Sequence, residues 1–190
     1  VLGESYMKWA VYFLALTRSC DAATTAEICT RLELAPRYRK IFTRDRFEAD
    51  RCLYWLERKS PLKNSKIFSR LSGLKTEPLL YLMAITRSKQ VKRAISLFFT
   101  QLRNTAVEMS GQDLKKMGVT PGPIYRETLQ AVLEARLDGR LQSREEELAF
   151  ARAFVARRLQ SAHHPPAHHQ TAATPPATPE GGHAPHEPEH

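Results

Sequence analysis

The chain has no histidine before residue 162, which removes the usual proton shuttle from its first 161 residues. Serines and cysteines are present there, but none stands in a pattern that supplies a base to activate it. Cys20, Cys29 and Cys52 are odd in number and never spaced Cys-x-x-Cys, so neither a disulfide framework nor a zinc site is predicted. They read as reduced, half-buried thiols of a cytoplasmic protein. No glycine-rich phosphate loop of the Walker kind occurs, and no Asp-x-Asp pair falls on a predicted strand. The apolar run from Trp9 to Leu16 is too short to span a bilayer and lacks the basic leader and cleavage site of a secretory signal. No alternating strand pattern and no fixed-period repeat appear. Catalytic residues and metal ligands are therefore expected to be none, and no membrane partner is expected.

Positive charge is what the sequence has in excess. Its 29 lysines and arginines against 20 acidic residues give a net charge of +9. Every lysine and arginine precedes residue 162, so the first part is more basic than the total suggests. A surface of this sign suits a polyanion, and nucleic acid is the leading candidate. The competing reading is a solubilising surface with no ligand. The hydrophobic share of 42% is ordinary for a globular protein with a real core. From 162 to 190 the composition changes to all seven histidines, seven of the twelve prolines and no lysine or arginine. That segment is predicted to be disordered, because it has too little apolar area to offset its ordering entropy. Its paired histidines could hold a transition metal only without a set geometry. The chain begins with Val1, which suggests the end of a longer product.

Helical signals fill the rest. A first helix over 4–18 is apolar nearly all round and is expected at the centre of a bundle. Thr24 and Glu27 suggest a capping box for a helix over 26–34, and Pro36 starts a long one reaching about residue 59. Short helices follow over 66–71 and from Thr76, then an amphipathic helix over 89–103 whose Phe98 and Phe99 read as core rather than as base-stacking rings.

On the long helix Arg37, Arg44, Arg51 and Arg58 recur every seven residues, with Lys40 beside them. In a continuous α-helix such a ladder drifts by only about 20° per step and runs for about 30 Å, comparable to a row of RNA phosphates. A solvated face is the alternative. Tyr38, Ile41, Phe42, Cys52, Leu53 and Leu56 mark an adjacent face expected to pack on the first helix. Asp45 and Asp50, five apart among these arginines, suit charge balance better than a metal site.

The most tightly specified stretch is 110–126. Ser110 and Asp113 form a capping-box pair, Gly118 sits where a left-handed residue ends a short helix, and Pro121 prevents continuation. A second helix from about Pro123 ends at Gly139, and Ser143 with Glu146 opens a third. Gly111 and Gly122 precede helix starts whose free N–H groups could receive a phosphate, with Lys115, Lys116 and Arg126 nearby. The cap chemistry alone also explains these residues.

The pattern Gly-x-Asp-Leu-x-x-x-Gly-Val-x-Pro-Gly-Pro, followed by Leu129, Leu133, Ala135, Asp138-Gly139 and Ser143 to Glu146, resembles the tail of bacterial tRNA nucleotidyltransferases. That family holds CCA-adding enzymes, A-adding enzymes and bacterial poly(A) polymerases. Upstream helices, including Trp9 to Leu16, resemble its all-helical body, and the likeness runs over roughly 6–155, nearest to the long A-adding form. With the helical signals and the composition of the end segment, the resemblance gives an all-α chain: an elongated, RNA-binding helical body over 1–105, a small helical tail domain over 106–161, and, from composition, a disordered 162–190. It implies tRNA or another structured RNA as partner, DNA not being expected, and a catalytic head upstream that uses magnesium with ATP or CTP; no cofactor is expected in this chain. The RNA-binding candidates are Arg37, Lys40, Arg44, Arg51, Gly111, Lys115, Lys116, Gly122 and Arg126. Two rival readings stand beside it: a stand-alone helical RNA-binding or adaptor module, and a remnant helical protein whose arginines serve only solubility.

Overall fold

The structure, a computed structural model, describes residues 6–59 and 61–162, with side chains to 160. The predicted disorder of the histidine- and proline-rich segment lies outside those residues. Among the described residues the fold is all helical, without a strand.

Helix α1 (Lys8–Leu16) ends at Thr17, whose hydroxyl donates to the Phe13 carbonyl at 2.8 Å. It is not central, contrary to expectation. Only Ala10 and Leu14, one turn apart, find a buried seat, mainly against α6 (Thr76–Ile85). Tyr12 and Leu16 on its outer side remain 72% and 85% exposed. An all-round apolar sequence gives a helix no preferred face, so the partners it has decide which residues are covered.

Helix α2 (Ala22–Arg31) starts four residues before the predicted position. Asp21 is the N-cap, its carboxylate accepting from the Thr24 N–H at 2.7 Å, so the Thr24 and Glu27 of the predicted box lie inside the helix. It also ends early: Glu33 takes a left-handed φ of 52° and the Leu34 N–H returns to the Cys29 carbonyl at 2.9 Å.

The long helix predicted over 36–59 is interrupted. Pro36–Lys40 forms α3, Ile41–Asp45 is a π-helical turn, and Arg46–Arg58 forms α4. Ile41 and Phe42 of the wide turn and Arg46, Ala49 and Leu56 of α4 are the buried positions along this stretch. Trp9 and Phe13 of α1 hold the wide turn through edge and tilted ring contacts, at 5.1 Å to Tyr38 and 4.4 Å to Phe42.

Helices α5 (Asn64–Leu71), α6 and α7 (Lys89–Thr100) complete the first apolar core, which includes Leu56, Leu71, Leu79, Tyr81, Leu82, Ile95 and Phe98. Phe98 is buried there, so base stacking by this ring is ruled out, in line with the reading as core. A second core gathers Met109, Leu114, Val132, Ala135, Leu141, Ala151 and Val155 from α8 (Gly111–Lys116), α9 (Pro123–Leu137) and α10 (Arg144–Ala162) with their connections. Helix α9 belongs to both, because its Leu137 lies in the first core. At that seam Asp138 accepts from the Ser65 N–H at 2.9 Å and the Ser65 hydroxyl at 3.0 Å, while the Asn64 amide donates to the Leu137 carbonyl at 3.0 Å. Asp138 after α9 thus caps the first turn of α5.

Candidate nucleic-acid interface

The π turn decides how the arginine ladder is laid out. One extra residue in a turn rotates all that follows by about 100° relative to a continuous helix. Arg37 and Arg51 therefore do not share the single stripe predicted for them. Arg37, Lys40 and Arg44 lie exposed on α3 and the π turn, while Arg51 and Arg58 lie exposed on α4. The phase shift has a counterpart inside. Arg46 is fully buried and donates through its guanidinium to the carbonyls of Thr17, and of Cys20 at 2.6 Å, at the turn between α1 and α2. Both carbonyls lie past the end of α1, that of Thr17 also accepting from the Cys20 N–H at 3.0 Å, and the buried charge ties the start of α4 to this turn.

Asp50 sits beside this group and accepts from the Tyr81 hydroxyl at 2.9 Å. Burial pushes its carboxyl above the usual range, against the Tyr81 hydrogen bond and the charges of Arg46 and Arg18. Burial likewise raises the Tyr81 phenol, and the Asp50 carboxylate adds to that. These are structural partners, consistent with charge balance as the role of Asp50. Among the described residues no three His, Cys, Asp or Glu side chains gather into a group that could hold a metal ion.

The outer face of α4 has a feature that sequence reasoning passed over. Phe47, Arg51, Tyr54 and Arg58 stand at i, i+4, i+7 and i+11, so aromatic and guanidinium groups alternate along one stripe. Arg58 lies 4.3 Å from the Tyr54 ring centroid, yet that ring is still 59% exposed. Next to it Arg70 of α5 lies 4.9 Å from the Trp55 centroid. Phe47, Arg51, Tyr54, Trp55 and Arg70, with Glu48, Asp50 and Cys52 but without Arg58, line an open groove of about 510 Å³. The interleaved spacing was visible in the sequence; that the rings face outward was not, because the π turn sets their phase.

The second candidate group surrounds the 110–126 turn. The Ser110 N–H donates to Asp113 at 2.8 Å and Gly118 has φ of 79°, as the capping pattern implies. Tyr125 ties the turn down by donating to the Val119 carbonyl at 2.9 Å. The Asp113 carboxylate, held below its ordinary range by the Ser110 N–H and then by Arg144 at 2.8 Å, already supplies a negative charge at the start of α8. A phosphate at the Gly111 helix start would have to compete with it. Gly122 precedes Pro123 in an extended conformation, with φ of 170°. Lys115, Lys116 and Arg126 are exposed on α8 and the first turns of α9. Behind them the fully buried Glu147 accepts from the N–H groups of Glu108 and Met109, each at 2.9 Å, and from Arg136 at 2.7 Å. That pairing fixes the segment entering the turn, and its partners, 38 and 39 residues distant, left no local trace in the sequence. The nine predicted residues thus form two groups seated on different apolar cores.

Comparison with known proteins supplies the remaining constraint. No family model and no solved structure matches the chain. Over 154 residues it is 42% identical to an A-adding tRNA nucleotidyltransferase of Geobacter sulfurreducens. The chain corresponds to part of a tRNA nucleotidyltransferase family protein. The match takes in 79% of this chain and 18% of the Geobacter nucleotidyltransferase. A second A-adding tRNA nucleotidyltransferase, from Halalkalibacterium halodurans, is 25% identical over 88 residues, or 46% of this chain and 20% of that protein. The chain therefore spans about a fifth of the length of the nucleotidyltransferases it matches.

Proposed function

We propose that this chain is the RNA-holding part of a tRNA nucleotidyltransferase. It would grip the acceptor and T arms of tRNA while the 3′ end reaches a catalytic head elsewhere in the protein, which adds nucleotides from ATP or CTP with magnesium. The observation that carries the reading is the 42% identity, over 79% of the chain, to a protein named as A-adding. The physical support is the exposure of Arg37, Lys40, Arg44 and Arg51 on one core and of Lys115, Lys116 and Arg126 on the other. Cations arranged on helices neutralise backbone phosphates without reading bases, which is what a protein serving many tRNAs requires. Gly111 and Gly122 contribute turn geometry and bare backbone beside those cations. By the same relationship adenylate is the expected addition.

The test is binding of this chain to a tRNA transcript and to duplex DNA of equal phosphate number at the same salt concentration. The expected outcome is tighter binding of tRNA, because the folded RNA offers both groups of cations a surface of matching shape. Equal affinity for the two would reduce the reading to charge alone, and no binding of either would end it.

A further inference from the structure

The proposed grip on tRNA accounts for arginines and lysines but not for the rings standing among them. Exposed Tyr54 and partly exposed Phe47 occur on the same stripe of α4 as Arg51 and Arg58, and Trp55 with Arg70 forms the adjoining wall of the 510 Å³ groove. Aromatic side chains are ordinarily covered unless they meet something, and here three are grouped with arginines at one mouth. The groove also carries Glu48 and Asp50. Glu48 already pairs with Arg51 at 3.2 Å and Asp50 accepts from Tyr81, so the carboxylates oppose a phosphate beside them and leave that place to a group with a neutral face. The chemistry combines flat rings with the Arg51 and Arg70 guanidinium groups in one groove, and outside its lining Arg58 is already stacked on Tyr54. Unpaired nucleotides match it: a base stacks on the ring and its phosphate meets the arginine.

We propose that the Phe47–Arg51–Tyr54–Arg58 stripe and the groove beside it, walled by Trp55 and Arg70, form a stacking platform for unpaired RNA nucleotides. The proposal rests on the RNA reading above and adds to it a separate, single-stranded contact. A duplex cannot use the platform, because its bases are stacked on each other and only its backbone is presented. The platform therefore supplies what the arginine ladder does not, a distinction between paired and unpaired RNA.

The chain has two tryptophans, so Trp9→Phe, which keeps a ring against Tyr38, leaves Trp55 in the wall of the groove as the only tryptophan, read by excitation at the red edge where tyrosine does not absorb. The experiment titrates this variant with single-stranded hexa-adenylate, with a stable RNA duplex at matched phosphate concentration, and with tRNA, recording emission and sedimentation. The expected result is saturable quenching by the single strand and not by the duplex. Tyr54→Ala, and separately Phe47→Ala, should weaken single-strand binding about tenfold. Melting should shift little for Tyr54→Ala, whose ring is largely exposed, and this keeps the test informative if Phe47→Ala folds poorly. Equal quenching by the duplex, or unchanged affinity in Tyr54→Ala, would overturn the platform. So would a parent dimer that Tyr54→Ala converts to monomer, which would assign the face to a second copy. Binding of tRNA without a Trp55 response to the single strand would sink the platform alone. Failure of tRNA to bind at all would remove the RNA reading and the platform with it.

Discussion

Gly118 holds φ at 79° with no atom within 4 Å of the place a Cβ would occupy. Replacement by valine therefore meets no clash, and its cost is the backbone conformation itself, about 1–3 kcal/mol. Lys115→Ala, an exposed change three residues earlier, should stay within about 0.5 kcal/mol. Urea unfolding of the two variants compares these directly, and equal midpoints would remove the left-handed assignment. Asp113 supports a second statement at this scale. Its carboxyl lies below the ordinary value of 3.8, chiefly through the Ser110 N–H and with help from Arg144. A depressed folded pKa means stability present above the unfolded value and lost as pH falls through the folded one. Asp113→Asn should therefore melt below the parent at pH 7, and the gap should close below about pH 4. A gap that persists unchanged in acid would show that the carboxylate charge contributes nothing.

At the scale of elements, what could be read from sequence follows the range of the interaction. The caps at Ser110, Gly118, Gly139 and Ser143 were legible because donor and acceptor lie within a few residues of each other. Helix α2 was misplaced even so, since Asp21 outcompeted Thr24 as the cap and both choices satisfied the local rules. The π turn was not legible. It depends on Trp9 and Phe13 against Tyr38 and Phe42, and on a buried Arg46 whose carbonyl partners are 26 and 29 residues away. With the turn hidden, the ladder appeared continuous and the ringed stripe of α4 had no defined direction. The seam between α5 and α9 is equally remote, its partners lying 73 residues apart. Asp138→Ala leaves the buried Ser65 N–H and hydroxyl without their acceptor, so a loss of about 1.5–3 kcal/mol is expected by urea unfolding. Asp138→Asn should recover part of it. An unchanged midpoint in the alanine variant would mean that solvent replaces the carboxylate at no cost.

In the whole molecule α9 joins two apolar cores, and exposed cations lie on each. No described helix is long and apolar enough to cross a membrane. The central claim is that the cations on the first core hold RNA phosphates rather than merely face solvent. The π turn sharpens the expectation, since Arg37 and Arg44 precede it or lie within it and Arg51 follows it. Their contributions should be separable rather than those of one continuous strip. The most direct measurement is tRNA affinity of this chain at several salt concentrations, for the parent and for Arg37→Ala, Arg44→Ala, Arg51→Ala and the triple variant, alongside thermal melting. The account predicts that each single change flattens the salt dependence by about 0.7–0.9 in slope, the share of one phosphate contact, with melting nearly unmoved. A triple variant that melts like the parent and keeps its full salt slope would contradict the claim.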